Sequence, residues 1–317
     1  MLCKSLILIT GPTAGGKTKV AINIAQKLKT AEILSVDSRQ FYRHMDIGTA
    51  KPTADELMQA KHHFIDIAYP DEQISAGEYG RRARGVISSL WRREITPILV
   101  GGSGMYWQAV IDGFYEDNNN YTEVRKKLQQ QIENEGVGAV YNLLGTLDPI
   151  SQFRIEKNDT KRLLRALEVA IQSGDTLGEK WHQKKQETWK CIPIMIWLDR
   201  DRESLYQRID SRVDKMMDNG LMAEVEKLKA MGYGTSTYTM GAMGYQELLM
   251  YIDGRCSLSD AVSEIKRNSR RFAKRQTTWF RKDSRLRRLD VDKWGTHGCS
   301  ERVIYQYKDI VSSCFYS

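Results

Sequence analysis

The chain has 317 residues, with 48 Lys or Arg against 40 Asp or Glu, for a formal charge of +8. That length can bury a core in one to three domains, and 41% hydrophobic with 28% charged residues excludes a disordered or fibrous chain. No apolar run reaches the ~20 residues of a membrane helix. The five cysteines (Cys3, Cys191, Cys256, Cys299, Cys314) are scattered and never spaced C-x-x-C, which argues against a disulfide scaffold or zinc finger.

Ser5 to Ile9 is a continuous apolar run that leads straight into Gly11. With one lysine before it and no small-residue cleavage site, it reads as a buried first strand and not as a secretion signal. The cytosol, with reduced thiols, is the expected location. A helical pattern follows through Leu28. Ile33 to Val36 reads as a second strand ending at Asp37, and His63 to Ile67 as a third. A helix from about Ala76 to Arg93 leads to the strand Ile98 to Val100, which stops at Gly101-Gly102. Strands separated by helices predict an α/β fold, a P-loop NTPase-like parallel sheet flanked by helices. Ligands gather at the carboxyl ends of such strands, so the turns at Gly11, Asp37 and Gly101 are expected to share one site.

After Asp112 the texture changes. Asn118, Asn119 and Asn120 make a polar break, and the stretch from Tyr121 to about Lys185 looks helical without a strand. Ile192 to Leu198 reads as strand again, followed by helices. The expected organisation is a P-loop core of residues 1–112 and 191–317 with an all-helical insertion at 113–190. A late helix, about Leu258 to Arg281, has Leu258, Ala261, Val262, Ile265, Ser269 and Phe272 on one side and Arg267, Arg271 and Lys274 on another. Between Lys266 and Arg288 lie eleven basic residues and one acid, Asp283. That concentration fits a polyanionic partner, or a solvated helix face.

Gly11-Pro12-Thr13-Ala14-Gly15-Gly16-Lys17-Thr18 matches G-x-x-x-x-G-K-S/T in full, between a strand and a helix. Glycines let backbone N–H groups turn toward phosphate oxygens, and the helix adds its positive end. Lys17 supplies a point charge, and the Thr18 hydroxyl can ligate Mg²⁺. Such a loop binds phosphates without specifying a nucleotide. No apolar strand ends in the D-E pair of many ATPases, and no N-K-x-D guanine-reading motif is present. Asp37, at the end of strand two, could bind Mg²⁺, cap a helix, or accept a hydrogen bond from a nucleophile. Gly101-Gly102-Ser103-Gly104 offers backbone donors and one hydroxyl at a neighbouring strand end.

Together these segments resemble the tRNA dimethylallyltransferase (tRNA isopentenyltransferase) family. The residues that carry the resemblance are G-P-T-A-G-G-K-T at Gly11–Thr18, S-V-D-S-R-Q at Ser35–Gln40, and M-D-I-G-T-A-K-P-T at Met45–Thr53. Further blocks are H-H-F-I-D-I at His62–Ile67, S-A-G-E-Y at Ser75–Tyr79, V-G-G-S-G-M-Y at Val100–Tyr106, N-D-x-K-R-L-L-R-A-L-E-V at Asn158–Val169, and R-x-A-K-R-Q-x-T-W-F-R at Arg271–Arg281. They span nearly the whole chain.

The resemblance implies transfer of a dimethylallyl group from dimethylallyl diphosphate to the N6 amine of the adenine on the 3′ side of the anticodon, with Mg²⁺ and without ATP. Gly11 to Thr18 (Gly11, Pro12, Thr13, Ala14, Gly15, Gly16, Lys17, Thr18) would hold the diphosphate. Asp37 would accept from the amine, with Lys17 and Ser103 completing the catalytic set. Contacts to tRNA are implied for Asp37, Ser38, Arg39, Gln40, Ser103 and Arg125, and for Lys161, Arg162, Leu163, Leu164 and Arg165. The insertion would hold the anticodon stem-loop, and a monomer is expected. Two departures stand out. Ser103 replaces the usual threonine and keeps the hydroxyl, whereas Gln246 stands where relatives commonly have Arg or Lys. The cysteines cannot build the C-terminal zinc finger of many animal and fungal relatives, so the chain resembles the shorter bacterial type. Two other readings remain: a small-molecule kinase using ATP, and a non-catalytic RNA-binding relative.

Overall fold

A computed structural model describes residues 4–113, 121–179 and 191–313. The break at Asn118–Asn120, the end of the expected helical stretch near Lys185, and Cys3 and Cys314 lie outside those residues. The chain folds as two compact units, one of Met1–Gly113 with Lys190–Ser317 and the other of Phe114–Trp189.

The first unit is built on six parallel strands: β1 (Ser5–Thr10), β2 (Ala31–Ser35), β3 (His62–His63), β4 (Thr96–Val100), β5 (Ile192–Asp199) and β6 (Arg287–Asp290). Their order across the sheet is β3-β2-β4-β1-β5-β6. β1 sits between β4 (Ile7 opposite Ile98) and β5 (Ile7 opposite Ile194). All six residues of β1 and all five of β4 are buried. A strand covered on both faces must be apolar throughout, which is why SLILIT is continuous and does not alternate. Helices α1 (Lys17–Leu28) and α13 (Val291–Ser313, broken at Gly295) cover one face. There Ile7, Ile9, Val20, Ile24, Ile98, Ile196, Cys299 and Val303 form one core. Each fully buried aliphatic side chain contributes about 1.5–3 kcal/mol.

The third strand is shorter than the sequence implies. Its expected span to Ile67 ends at His63, because Phe64 and Asp66 adopt left-handed φ of 64° and 55° and the ladder stops there. β6 was not foreseen. Its sequence, RRLD, buries only Leu289 and occupies the sheet edge, where charged side chains can face water. The connections between strands include α2 (Ala54–Gln59), α3 (Ala76–Arg92) and α4 (Gly104–Ile111). After β5 come α9 (Arg202–Asp218), α10 (Leu221–Ala230), a 3₁₀ turn at Tyr238–Gly241, α11 (Tyr245–Ile252) and α12 (Leu258–Phe280).

The second unit contains α5 (Thr122–Glu135), α6 (Val137–Leu147), α7 (Pro149–Arg154) and α8 (Thr160–Ser173). Leu128, Val140, Leu144, Leu163, Leu164 and Leu167 make its core. Asp148 and Asp159 cap α7 and α8 by accepting from Ser151 N and Arg162 N. No described helix of either unit is long and apolar enough to cross a membrane.

Candidate active site at the carboxyl ends of β1, β2 and β4

The turn from β1 into α1 carries the phosphate-loop motif. Gly16 precedes the helix at φ 94°, and Ala14 takes a left-handed φ of 59°, a conformation that stores strain at functional turns. No side chain caps α1, so its first N–H groups remain for an anion. The Lys17 ammonium donates to Gly11 O (3.1 Å) and Pro12 O (2.8 Å). Burial pushes its pKa down to about 8, while the Asp37 carboxylate pulls upward and Arg212 adds to the lowering. Lys17, Asp37 and Arg212 therefore share one electrostatic space.

Asp37 follows β2. Its Oδ1 accepts from Arg39 N at 3.0 Å, closing a tight turn. Ser103, after β4, accepts from Ser38 N at 3.1 Å. The Asp37 turn and the second glycine turn are thus joined through the hydroxyl that the sequence singled out. Gly101 must be glycine: a Cβ there would lie 1.9 Å from Val36 O.

Three contributors were missed by the sequence reading. Gln276 of α12 accepts from Thr13 N (2.8 Å) and donates to Gly102 O (3.0 Å), tying the two glycine turns together. From α9, Arg208 Nε donates to Ala14 O at 3.1 Å and Arg212 Nη1 to Thr13 Oγ1 at 3.2 Å. Burial holds the Arg212 pKa below its ordinary value, with Asp37 opposing that shift and Arg208 adding to it. Two arginines four residues apart, on the helix after a strand end, were the available signal.

The expected tRNA contacts fall into two groups. Gln40 is committed internally: its side chain accepts from Ser35 Oγ (2.8 Å) and donates to Ala50 O (3.0 Å). Leu163 and Leu164 are 0% and 7% exposed. Their side chains fill the core of the second unit, so any contact they make to RNA would be through the backbone. The surface of that segment is Lys161 and Arg162, with Arg165 half-buried. Arg125 donates through Nη2 to the buried Glu168 at 3.2 Å, and also through Nε, and Arg165 lies 3.7 Å from the same carboxylate. Gln246 is exposed on α11, in a surface groove shared with Arg267.

The late basic run is less free than its sequence implies. Arg270 pairs with Asp210, Lys266 with Asp214, Arg285 with Asp112 and Asp283, and Arg288 with Asp199. Arg267 pairs with Glu264, and Arg271, Lys274, Arg275, Arg281 and Lys282 are exposed along and just beyond α12. The buried face of that helix is Ala261, Ile265, Ala273, Gln276 and Phe280, and Leu258, expected on it, is 39% exposed.

The described residues include no cluster of three His, Cys, Asp or Glu able to cage a metal. Cys191, Cys256 and Cys299 are free thiols. The donors near the loop, a Thr18 hydroxyl and the Asp37 carboxylate, are hard oxygens. They suit a cation completed by phosphate oxygens and water.

A parallel sheet with a phosphate-loop motif at its carboxyl edge, followed in space by the Asp37 turn and bonded by Arg208 and Arg212, defines a P-loop fold. Within that class the chain belongs to the IPP transferase family, whose model matches residues 40–283. It is 41% identical over 290 residues to the tRNA dimethylallyltransferase of Desulforudis audaxviator, covering 92% of this chain and 93% of that protein. A crystal structure of the Bacillus halodurans tRNA isopentenylpyrophosphate transferase superposes with a TM-score of 0.72 at 35% identity, covering 99% of this chain and 100% of that one. A eukaryotic dimethylallyltransferase captured acting on tRNA gives 0.84 at 26% identity, covering 98% and 80%.

Proposed function

We propose that the chain is a tRNA dimethylallyltransferase. It moves a dimethylallyl group from dimethylallyl diphosphate to the N6 amine of the adenine on the 3′ side of the anticodon and releases diphosphate. The observation that carries this reading is the tie between the turns: Gln276 bonds the phosphate loop to Gly102, and the Ser103 hydroxyl accepts from Ser38 N beside Asp37, which brings a proton acceptor to the anion cradle.

An exocyclic adenine amine is a weak nucleophile because its lone pair is delocalised into the ring. Asp37 orients it and accepts its proton as the nitrogen–carbon bond forms, an effect worth about 10²–10⁴ in rate. The allylic carbon–oxygen bond breaks with its electron pair passing to diphosphate. Lys17, Arg212, Arg208 and the first N–H groups of α1 stabilise that charge as it grows. Thr18 is the residue that would hold Mg²⁺, which when bound would neutralise diphosphate oxygens. The adenine reaches the site by leaving its stack, at a cost of a few kcal/mol that is least for an unpaired base. Lys161 and Arg162 of the second unit, and the exposed cations of α12, supply sequence-independent contacts to the tRNA backbone.

The test is incorporation of labelled prenyl group into unmodified tRNA with an adenine 3′ of the anticodon, with Mg²⁺ and without ATP. Asp37→Ala should lower turnover by about 10²–10⁴ while leaving tRNA affinity nearly unchanged. ATP-dependent phosphate transfer without prenyl incorporation would instead identify a kinase.

A further inference from the structure

Glu224 of α10 lies outside the phosphate site, yet its carboxylate takes three consecutive backbone N–H groups from the segment between β2 and α2. Oε2 accepts from Asp46 N at 2.9 Å and Ile47 N at 2.8 Å, and Oε1 accepts from Gly48 N at 3.1 Å. Oε1 also accepts from the hydroxyl of Tyr245, at the start of α11, at 2.6 Å. Hydrogen bonds to an ionised acceptor are the strong ones, and several on one carboxylate fix the backbone that donates them. The close approach needs glycine at 48, since a Cβ there would lie 2.5 Å from the Tyr245 ring. Lys51 ties the segment from within. Its side chain is only 5% exposed, and its ammonium donates to Tyr42 O and Asp46 Oδ1 at 2.6 Å each.

The segment so held is bonded to the turn that carries Asp37. The Gln40 side chain donates to Ala50 O at 3.0 Å and accepts from Ser35 Oγ at 2.8 Å. Gln40 N donates to Asp37 O at 3.3 Å and Arg39 N to Asp37 Oδ1 at 3.0 Å, which closes the turn around the carboxylate. His44 and Ala50 both adopt left-handed φ, of 67° and 49°. Such conformations persist in residues other than glycine only where the surroundings over-determine them, and they gather at functional sites. Glu224 and Lys51 supply that constraint here. Ala50, one of the two strained residues, is the one whose carbonyl receives Gln40.

Resting on the role of Asp37 proposed above, we infer that Glu224 is a positioning residue for that carboxylate. It pins Asp46–Gly48, the pinned segment aims the Ala50 carbonyl, and Gln40 passes that placement to the Asp37 turn. The phosphate loop is bonded by other side chains, those of Gln276, Arg208 and Arg212. Glu224 therefore bears on the proton acceptor and not on the diphosphate.

The experiment uses the full-length enzyme and labelled prenyl transfer to unmodified tRNA, with Glu224→Gln made in the wild type and in Asp37→Ala. Glutamine keeps the shape but removes the charge and turns one acceptor oxygen into a donor. In the wild type it should lower kcat by about tenfold, as expected for weakened bonds to a charged group, and leave KM for the prenyl diphosphate within about twofold. In Asp37→Ala the same substitution should cost less than about twofold, because residues that act as one unit are not additive. Unchanged kcat in the wild-type background would overturn the inference. So would an equal loss in both backgrounds, or a loss shared between kcat and KM, since either marks a residue that only supports the fold. Should Glu224→Gln not fold, Gln40→Met cuts the later link of the same chain and carries the same expectations. If Asp37→Ala alone leaves kcat unchanged, the proton-acceptor reading itself falls, an outcome distinct from an equal loss in both backgrounds.

Discussion

The Arg212 guanidinium donates to the Thr13 hydroxyl across a 3.2 Å gap, linking helix α9 to the middle of the phosphate loop. A cation so placed lies where negative charge grows as diphosphate departs. Arg212→Ala should lower kcat/KM for the prenyl diphosphate by about 10²–10³, the cost of losing one preorganised donor. Affinity for tRNA, measured by filter binding, should stay within about twofold of the wild type. Equal losses in both would mean that Arg212 supports the fold more than the chemistry.

Lys17 gives the reaction an alkaline limit. Burial lowers its pKa from the ordinary 10.5 to about 8. Below pH ~8 the free enzyme carries the ammonium, and above it the charge is lost. Because the folded value lies below the unfolded one, the unfolded chain binds more protons between about pH 8 and 10.5. This group's contribution to stability therefore rises through that window. Catalysis runs the other way. kcat/KM for the prenyl diphosphate should fall about tenfold per pH unit above ~8, while kcat at saturation falls later, since bound diphosphate favours the charged form. Lys17→Arg should shift the kcat/KM limb upward. A pH profile unmoved by that substitution would assign the limb elsewhere.

Glu168 is fully buried and its carboxylate is compensated by Arg125 and, at 3.7 Å, Arg165. Arg125→Ala should destabilise the second unit by about 1–3 kcal/mol, less than for a wholly buried pair because the Arg125 side chain is half exposed. Adding Glu168→Gln should restore much of that loss in urea unfolding. If the double variant regains stability but not tRNA affinity, Arg125 touches the RNA directly. If both return, it acts only through its partner.

Lys161 and Arg162, with the exposed cations of α12, predict a steep salt dependence. Log Kd for tRNA should change with log salt by about 0.7–0.9 per phosphate neutralised. Removing Lys161 and Arg162 together should reduce the slope by about 1–2, and an unchanged slope would take that segment out of the interface.

The sequence carried β1, β2, β4 and β5 and the turns that end them, because buried parallel strands are unbroken apolar runs and their ligand-side turns need glycine. It did not carry β6, whose RRLD has one inward residue, nor the end of β3, which depends on left-handed φ at Phe64. Lys17, Asp37 and Ser103 were legible from local motifs. Arg208, Arg212 and Gln276 were not, since they reach the loop from about 190 to 260 residues away, and nothing local distinguishes them from other residues on a charged helix. Leu163 and Leu164 show a different limit: a motif block does not say which of its residues a helix turns outward, and these two side chains face the core.

Gln276 bonds to both glycine turns, and this sets an order on synthesis. The phosphate loop is made well before the side chain that pins it, which lies 263 residues further along the chain. A nascent chain halted before α12 would carry every residue of the motif and lack the tie between its turns.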